Sequence, residues 1–399
     1  MIFLDNNSTT KLDERVFEKM VPFLKENYGN PHSNFHNFGL ISKNAVEQNR
    51  NNIAEIFNVN PKNVIFTSGA TESNNLILKG LAYKAIENQS SRKKIFCSSI
   101  EHKCVLETCE FIKSLGFEHE LIPVDEDGLS DLNWLKDKID DKTLFISVMT
   151  VNNETGMRSN LEEINQICKD FGVIFHSDMA QALHGEKFDL TQTQIDAISI
   201  SGHKIYGPKG VGALILNHEP LEFISPISHG GLQEQDIRSG TVPVFLTVGI
   251  SEALKLINVE HEKNKKYLLD FREKFVNKIT NLTSDIKINY ASTNGHPGTL
   301  NIHFKNVDAD IIATRLANEV AVSTSAACNG VGFDYSYVLK NMHLSEEISK
   351  SSIRLCFSKY NTSDEVIEAA KIMHSHYYEV TDTANGKVPE HDDDCIFPF

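Results

Sequence analysis

Two residues of this chain are placed for covalent chemistry. Lys204 ends Ser201-Gly-His-Lys204, directly after an apolar run, and a glycine-rich turn, Ile205-Tyr-Gly-Pro-Lys-Gly-Val-Gly212, follows it. Cys328 stands alone among small side chains in Ser323-Thr-Ser-Ala-Ala-Cys-Asn-Gly330. A lysine held on a turn can condense with an aldehyde cofactor, and a cysteine on a loop can carry a covalent adduct to and from it. Together they point to pyridoxal-phosphate (PLP) chemistry on a sulfur-bearing substrate.

Ligands of open α/β sheets bind beyond the carboxyl ends of the strands, so the residues after each apolar run come next. Val64-Ile-Phe-Thr67 is followed by Ser68-Gly-Ala-Thr71 and a helical pattern. Glycine lets the backbone come close to a ligand there, and first-turn amides suit a phosphate. Taken alone, the same segment also reads as a capped strand-to-helix turn. Asp178 follows Val173-Ile-Phe-His-Ser177. A carboxylate at that place can pair with a pyridine nitrogen and keep it protonated, or can cap the next helix. Ser201 and His203 flank Lys204 with further donors for a phosphate. Cys328 could be a small core residue, but the segment to Tyr335 has few large apolar side chains and two glycines, which predicts a loop.

The elements that must position these groups are legible as a pattern. Val64–Thr67, Lys94–Ser98, Thr143–Val148, Val173–His176 and Ala197–Ser201 are short β-branched runs, separated by helical stretches such as Glu72 to Ile86 and Leu161 to Phe171. That alternation predicts βαβ units and a mostly parallel sheet with helices on both faces. After about Lys255 a charged helix, Val259 to Lys278, leads into Ile286–Tyr290, Thr299–Phe304, a helix from Ala309 to Val320, and helices beginning near Tyr335 and Asp364. Mixed strands and helices after a long connector predict a smaller α+β domain. The expected division is residues 14–255 as the large domain, 1–13 with 256–380 as the small one, and 381–399 as a tail. At 399 residues two domains are the natural expectation.

The bulk numbers exclude some classes. Lys+Arg 39 against Asp+Glu 54 gives a net charge of −15, which argues against direct binding to nucleic acid or an anionic membrane. The amino terminus lacks a signal-peptide pattern and no stretch reaches membrane-span length, so a cytoplasmic location is expected. The cysteines at 97, 104, 109, 168, 328, 356 and 395 have no CxxC spacing. That disfavours a disulfide framework or a structural zinc site, so no metal is expected. All but Cys328 are assigned to packing or surface.

Ser68-Gly-Ala-Thr-Glu-Ser-Asn-Asn75, Val151-Asn-Asn-Glu-Thr-Gly156, His176-Ser-Asp-Met-Ala-Gln181, Ser201-Gly-His-Lys-Ile-Tyr-Gly-Pro-Lys-Gly210, Gly230-Gly-Leu-Gln-Glu-Gln-Asp-Ile-Arg-Ser-Gly-Thr241 and the Cys328 segment are successive blocks. In this order they resemble the cysteine desulfurases of the NifS/IscS group, from Leu4 to about Ala370. The resemblance implies a fold-type I PLP-dependent transferase, with a mostly parallel seven-stranded sheet in the large domain and a smaller α+β C-terminal domain. It also implies a homodimer that converts L-cysteine to L-alanine, leaving a persulfide on Cys328 for a sulfur-acceptor protein. Residue by residue, it gives Ala70, Thr71, Ser201, His203 and the neighbouring subunit's Thr241 to the phosphate. His102, in Glu101-His-Lys-Cys104, would stack on the ring and move protons, and Asn153 and Gln181 would bond its phenolic oxygen. Asp178 would face the pyridine nitrogen, Lys204 would hold the cofactor, and Arg354 would hold the substrate carboxylate.

Two features depart from the housekeeping members. Asn329 and Gly330 replace the usual Thr-Ser, and the carboxyl terminus lacks the ending that docks the iron-sulfur scaffold. The acceptor therefore stays open between iron-sulfur assembly and thiolation pathways. Other readings of the same motifs are a selenocysteine lyase or an aminotransferase of this fold, with Cys328 dispensable, or a non-catalytic subunit that recruits sulfur-transfer partners.

Overall fold

The protein is described here as a computed structural model covering residues 1–184, 189–290, 295–324 and 335–384. The chain starts with a two-residue strand, β1 (Ile2–Phe3). The main sheet then contains β2 (Val64–Thr67), β3 (Lys94–Ser98), β4 (Glu118–Ile122), β5 (Thr143–Ser147), β6 (Ile174–Asp178), β7 (Ala197–Ser201) and β8 (Gly212–Leu216), in the order β2-β8-β7-β6-β5-β3-β4. Only β8 runs against its neighbours. Between β7 and β8 lies only a short glycine-rich turn, too short for the crossover helix that a parallel return needs. Six strands therefore deliver their carboxyl ends to one edge of the sheet.

Consecutive residues of these strands feed opposite faces. Val64 and Phe66 join one apolar core and Ile65 the other, and Phe96 and Ile146 are likewise separated from Ile95 and Phe145. Helices cover both faces, as a sheet apolar on both sides requires. The second sheet is antiparallel, with β9 (Ile286–Ile288), β10 (Thr299–Phe304), β12 (Ser323–Thr324) and β13 (Ser352–Cys356) in the order β12-β13-β10-β9. β11 (Val320–Ala321) pairs in parallel with β1. This sheet has its own core, built on Leu300, Ile302, Phe304, Ile353 and Leu355.

The structure departs from the expected elements in several places. The connecting helix spans Val244–Leu282, starting fifteen residues before Val259, after Pro243 and without a side-chain cap that would have marked its start. β4 opens on the three polar residues Glu118-His-Glu120 at the sheet edge, β8 starts on the last glycine of the glycine-rich run, and β13 has Arg354 at its centre; none was among the expected strands. The helix expected to reach Val320 ends at Leu316, because Val320 pairs with β1. The last helix, Ser363–Ala384, runs four residues into the segment read as a tail. The rest of that tail, with Cys395, lies outside the described residues.

Candidate active site

A cavity of about 590 Å³ opens at the carboxyl edge of the main sheet. Of the residues singled out from sequence, Ala70, Thr71, His102, Asn153, Asp178, Gln181, Ser201, His203, Lys204 and Arg354 line it. Thr241 does not; it is exposed on a loop of this subunit, where the resemblance would place it against a second subunit. Cys328 lies outside the described residues. The described residues nearest to it on both sides are held by partners elsewhere in the fold. Ser323 pairs with Arg354 across β12 and β13, and Ser336 Oγ donates to Glu154 Oε2 at 2.6 Å.

One end of the cavity is suited to an anion. The helix Ala70–Glu87 begins after Gly69, which supplies no side chain to satisfy the first amides. Gly69 holds φ at +156°, a conformation that glycine adopts without strain. Gly212 lies between Thr67 and Ser201 in the ladder. A Cβ on it would come within 2.6 Å of Gly69 Cα and 2.5 Å of the Ile200 carbonyl. The close approach of these backbones places Ser201 beside the helix amides. Burial first, then Lys204 and Lys209, pushes the His203 imidazole down to about 4, so at neutral pH it serves this end as a neutral hydrogen-bonding group.

At the opposite end Asp178, the last residue of β6, accepts from Asn74 Nδ2 at 2.7 Å and from the Ala180 amide at 2.9 Å. Both oxygens are thus oriented by donors. Lys204 Nζ donates to the carbonyls of Asn7 and, at 2.9 Å, Ser8. The Asn7 carbonyl also accepts from Gln181 Nε2 at 2.8 Å. Behind Lys204, its own carbonyl meets His184 Nε2 at 2.5 Å.

His102 caps the helix Lys103–Lys113: its Nδ1 accepts from the Cys104 amide at 3.2 Å. An accepting Nδ1 leaves the proton on Nε2. Burial, reinforced by Lys204 and Lys103 against an opposing pull from Asp178, holds the imidazole below its ordinary range. Below it, buried Glu101 accepts from the Met149 amide. Burial, with the nearby Asp178 charge, pushes the Glu101 carboxyl well above the carboxylate range. Arg354 donates to Asp5 Oδ1 at 2.8 Å, Ser8 Oγ at 2.6 Å and the Asn153 carbonyl at 3.1 Å. Its Nε is buried without a partner.

Several groups here escaped the sequence reading. Asn7, Ser8 and Thr9 line the cavity from the start of the chain; their only signal was a polar run after a very short apolar one. Asn74 and Glu101 lie next to residues that drew attention, but each looks like an ordinary helix or turn residue. Cys104, assigned to packing or surface, lines the cavity with its Sγ 3.0 Å from His102 Nδ1. Burial, with Asp178 adding to it, pushes its thiol up to about 12, which makes it a poor nucleophile.

Among the described residues, no helix is long and apolar enough to cross a membrane. Residues 2–368 match the class-V aminotransferase family. The chain is 40% identical over 381 residues to the cysteine desulfurase IscS of Rickettsia bellii (strain OSU 85-389), covering 96% of this chain and 92% of that one. Among solved structures it superposes on a NifS-like protein with a TM-score of 0.87 and 32% identity, over 95% of this chain and 99% of the other. SspA in complex with cysteine gives a TM-score of 0.78 at 31% identity, over 91% of this chain and all of that one, 100%. A family match, a sequence and a fold that agree over nearly the whole chain make it a member of the class-V aminotransferases and, within them, of the cysteine desulfurases.

Proposed function

We propose that this cavity binds PLP and L-cysteine, and that the enzyme releases L-alanine while passing the sulfur to Cys328. The single observation that carries the reading is the donor set: uncapped helix amides with Ser201 and His203 at one end, Asp178 at the other and Lys204 between them. A phosphate-bearing pyridine aldehyde fits that set in charge and in order. When bound, the cofactor supplies an electron sink that makes the substrate Cα–H acidic enough to remove.

The chain's own groups do the rest. Arg354 holds the substrate carboxylate with its planar fork, and Asn153 and Gln181 orient the ring from the side. Lys204 Nζ takes the proton from Cα and returns one to the product, and His102 serves either as base toward the substrate thiol or as acid toward the product carbon. The Cys328 thiolate attacks the substrate sulfur. A sulfur–sulfur bond forms, the carbon–sulfur bond breaks with its electron pair left on carbon, and that carbon is protonated to the methyl group of alanine. Cys104 is unsuited to this attack because its thiol is raised to about 12.

The proposal extends to the assembly. Residues 14–255 form the cofactor domain, and 1–13 with 256–380 form the domain that presents Arg354. A homodimer brings the partner copy's Thr241 loop to the phosphate, in a reducing cytoplasm that keeps Cys328 a thiol. An acceptor protein then takes the sulfur. Monomers obtained by dilution should lose both cofactor and activity.

The experiment is the Cys328→Ala variant. It should still change the visible spectrum on addition of L-cysteine, yet form alanine at a small fraction of the normal rate. Mass spectrometry of the unmutated enzyme after L-cysteine should find one added sulfur on the Cys328 peptide. Near-normal alanine formation by the variant would point instead to a lyase of the same fold.

A further inference from the structure

We infer that Cys97, Cys109 and His119 form a binding site for one zinc-class divalent ion, on the far side of the helix that His102 caps. The two thiol sulfurs and a ring nitrogen of His119 all lie within 4.8 Å of one another, the one such group among the described residues. Cys97 Sγ is 3.3 Å from His119 Nε2. Tetrahedral zinc with sulfur at about 2.3 Å and nitrogen at about 2.0 Å needs a sulfur–sulfur separation of about 3.8 Å and a sulfur–nitrogen separation of about 3.5 Å. Small side-chain adjustments would therefore seat an ion.

The ligands come from three rigid elements. Cys97 is on β3, and His119 is on β4, two residues from Cys97's partner Leu121 and so on the same face of the sheet. Cys109 projects from the helix Lys103–Lys113 packed on that face. The second ring nitrogen of His119, Nδ1, faces Glu110 Oε2 at 3.5 Å. A carboxylate behind the imidazole is the arrangement that fixes Nε2 as the metal-binding atom. Both cysteines are fully buried, while the His119 side chain keeps 7% exposure at the edge strand and gives an ion a way in.

Charge favours the assignment. An entering dication displaces the two thiol protons to solvent, so two thiolates, a neutral imidazole and a water in the fourth position give a complex of zero net charge. Such a complex suits an apolar interior better than an isolated ion of either sign. The bound ion would tie the helix to β3 and β4 without touching the catalytic cavity.

Cobalt is the probe. Reduced, chelator-stripped full-length protein should take up one equivalent of Co2+ with a thiolate-to-metal charge-transfer band, and one equivalent of Zn2+ should abolish it. Cys109→Ser and His119→Asn should remove the band, whereas Cys328→Ala should keep it. Glu110→Gln, an exposed change that folding can tolerate, should weaken Zn2+ binding roughly tenfold or more. X-ray absorption of the zinc-loaded unmutated protein should give two sulfurs and one imidazole, a readout that needs no variant. The site is refuted by any of three results: a band that follows Cys328, no uptake at all, or a Cys97–Cys109 disulfide forming in place of metal uptake.

Discussion

His102 departs from the preferences of its position. Helix N-caps favour Ser, Thr, Asp or Asn, yet a histidine caps Lys103–Lys113 and does so through the nitrogen that must stay unprotonated. The cap, the burial and the neighbouring Lys204 and Lys103 all favour the neutral ring. Its folded value lies below the ordinary one, so the proton-donating Nε2 tautomer should persist as the pH falls through 6.5 and fail only at lower pH. His102→Asn separates the two duties, because asparagine is a good cap but has no proton to exchange. The variant should keep its helix content and cofactor and lose roughly 10²- to 10⁴-fold in kcat/KM. Intact turnover would reduce His102 to a structural cap.

Among the elements, β8 is the one on which the anion end depends. Gly212 has Thr67 on one side and Ser201 on the other, and it lies against Gly69. Gly212→Ala should force these backbones apart, lowering stability by about 1–3 kcal/mol and weakening retention of PLP. Equilibrium dialysis and thermal melts with and without the cofactor would check both. β8 also marks what the sequence could not reveal. Val64–Thr67, Lys94–Ser98 and Ala197–Ser201 were legible because buried parallel strands are unbroken β-branched runs. β8 follows straight on from a glycine-rich turn and starts on Gly212, whose purpose is a contact with a distant turn, and β4 opens on three polar residues at an edge. The site divides similarly. Lys204 and His102 follow strands and Asp178 ends one, so all three could be found by looking at strand carboxyl ends. Asn7 and Ser8 reach the cavity through tertiary contacts, the pairing of β1 among them. The grouping of Cys97, Cys109 and His119 has no short spacing at all, because its three ligands come from separate elements.

At the scale of the whole molecule, buried histidines set the response to acid. His176, between Ser147 Oγ at 2.9 Å and Ser199 Oγ at 3.1 Å, is pushed down to about 3 by burial, and His184 to about 4. An unfolded chain would protonate both near 6.5. Below that pH it binds more protons than the native state, so stability is full above about 6.5 and declines as the pH falls, until the folded values are reached. The two groups together should cost about 4 kcal/mol at pH 5. Urea midpoints at pH 7 and pH 5 would measure it, and His176→Gln should remove about half of the loss. Equal midpoints would mean that these rings accept protons in place.

The start of the chain is sewn into its end. Asp5 meets Arg354 at 2.8 Å, Asn6 Nδ2 donates to the Cys356 carbonyl at 2.7 Å across 350 residues, and the Asn7 and Ser8 carbonyls receive Lys204. Closing so large a loop is slow. During synthesis the first ten residues leave the ribosome long before their partners exist, so the main sheet can assemble while its ligand pocket still lacks a wall. That wall cannot close until translation has passed residue 356, so a pocket complete enough for a cofactor would be among the last features of the fold to form.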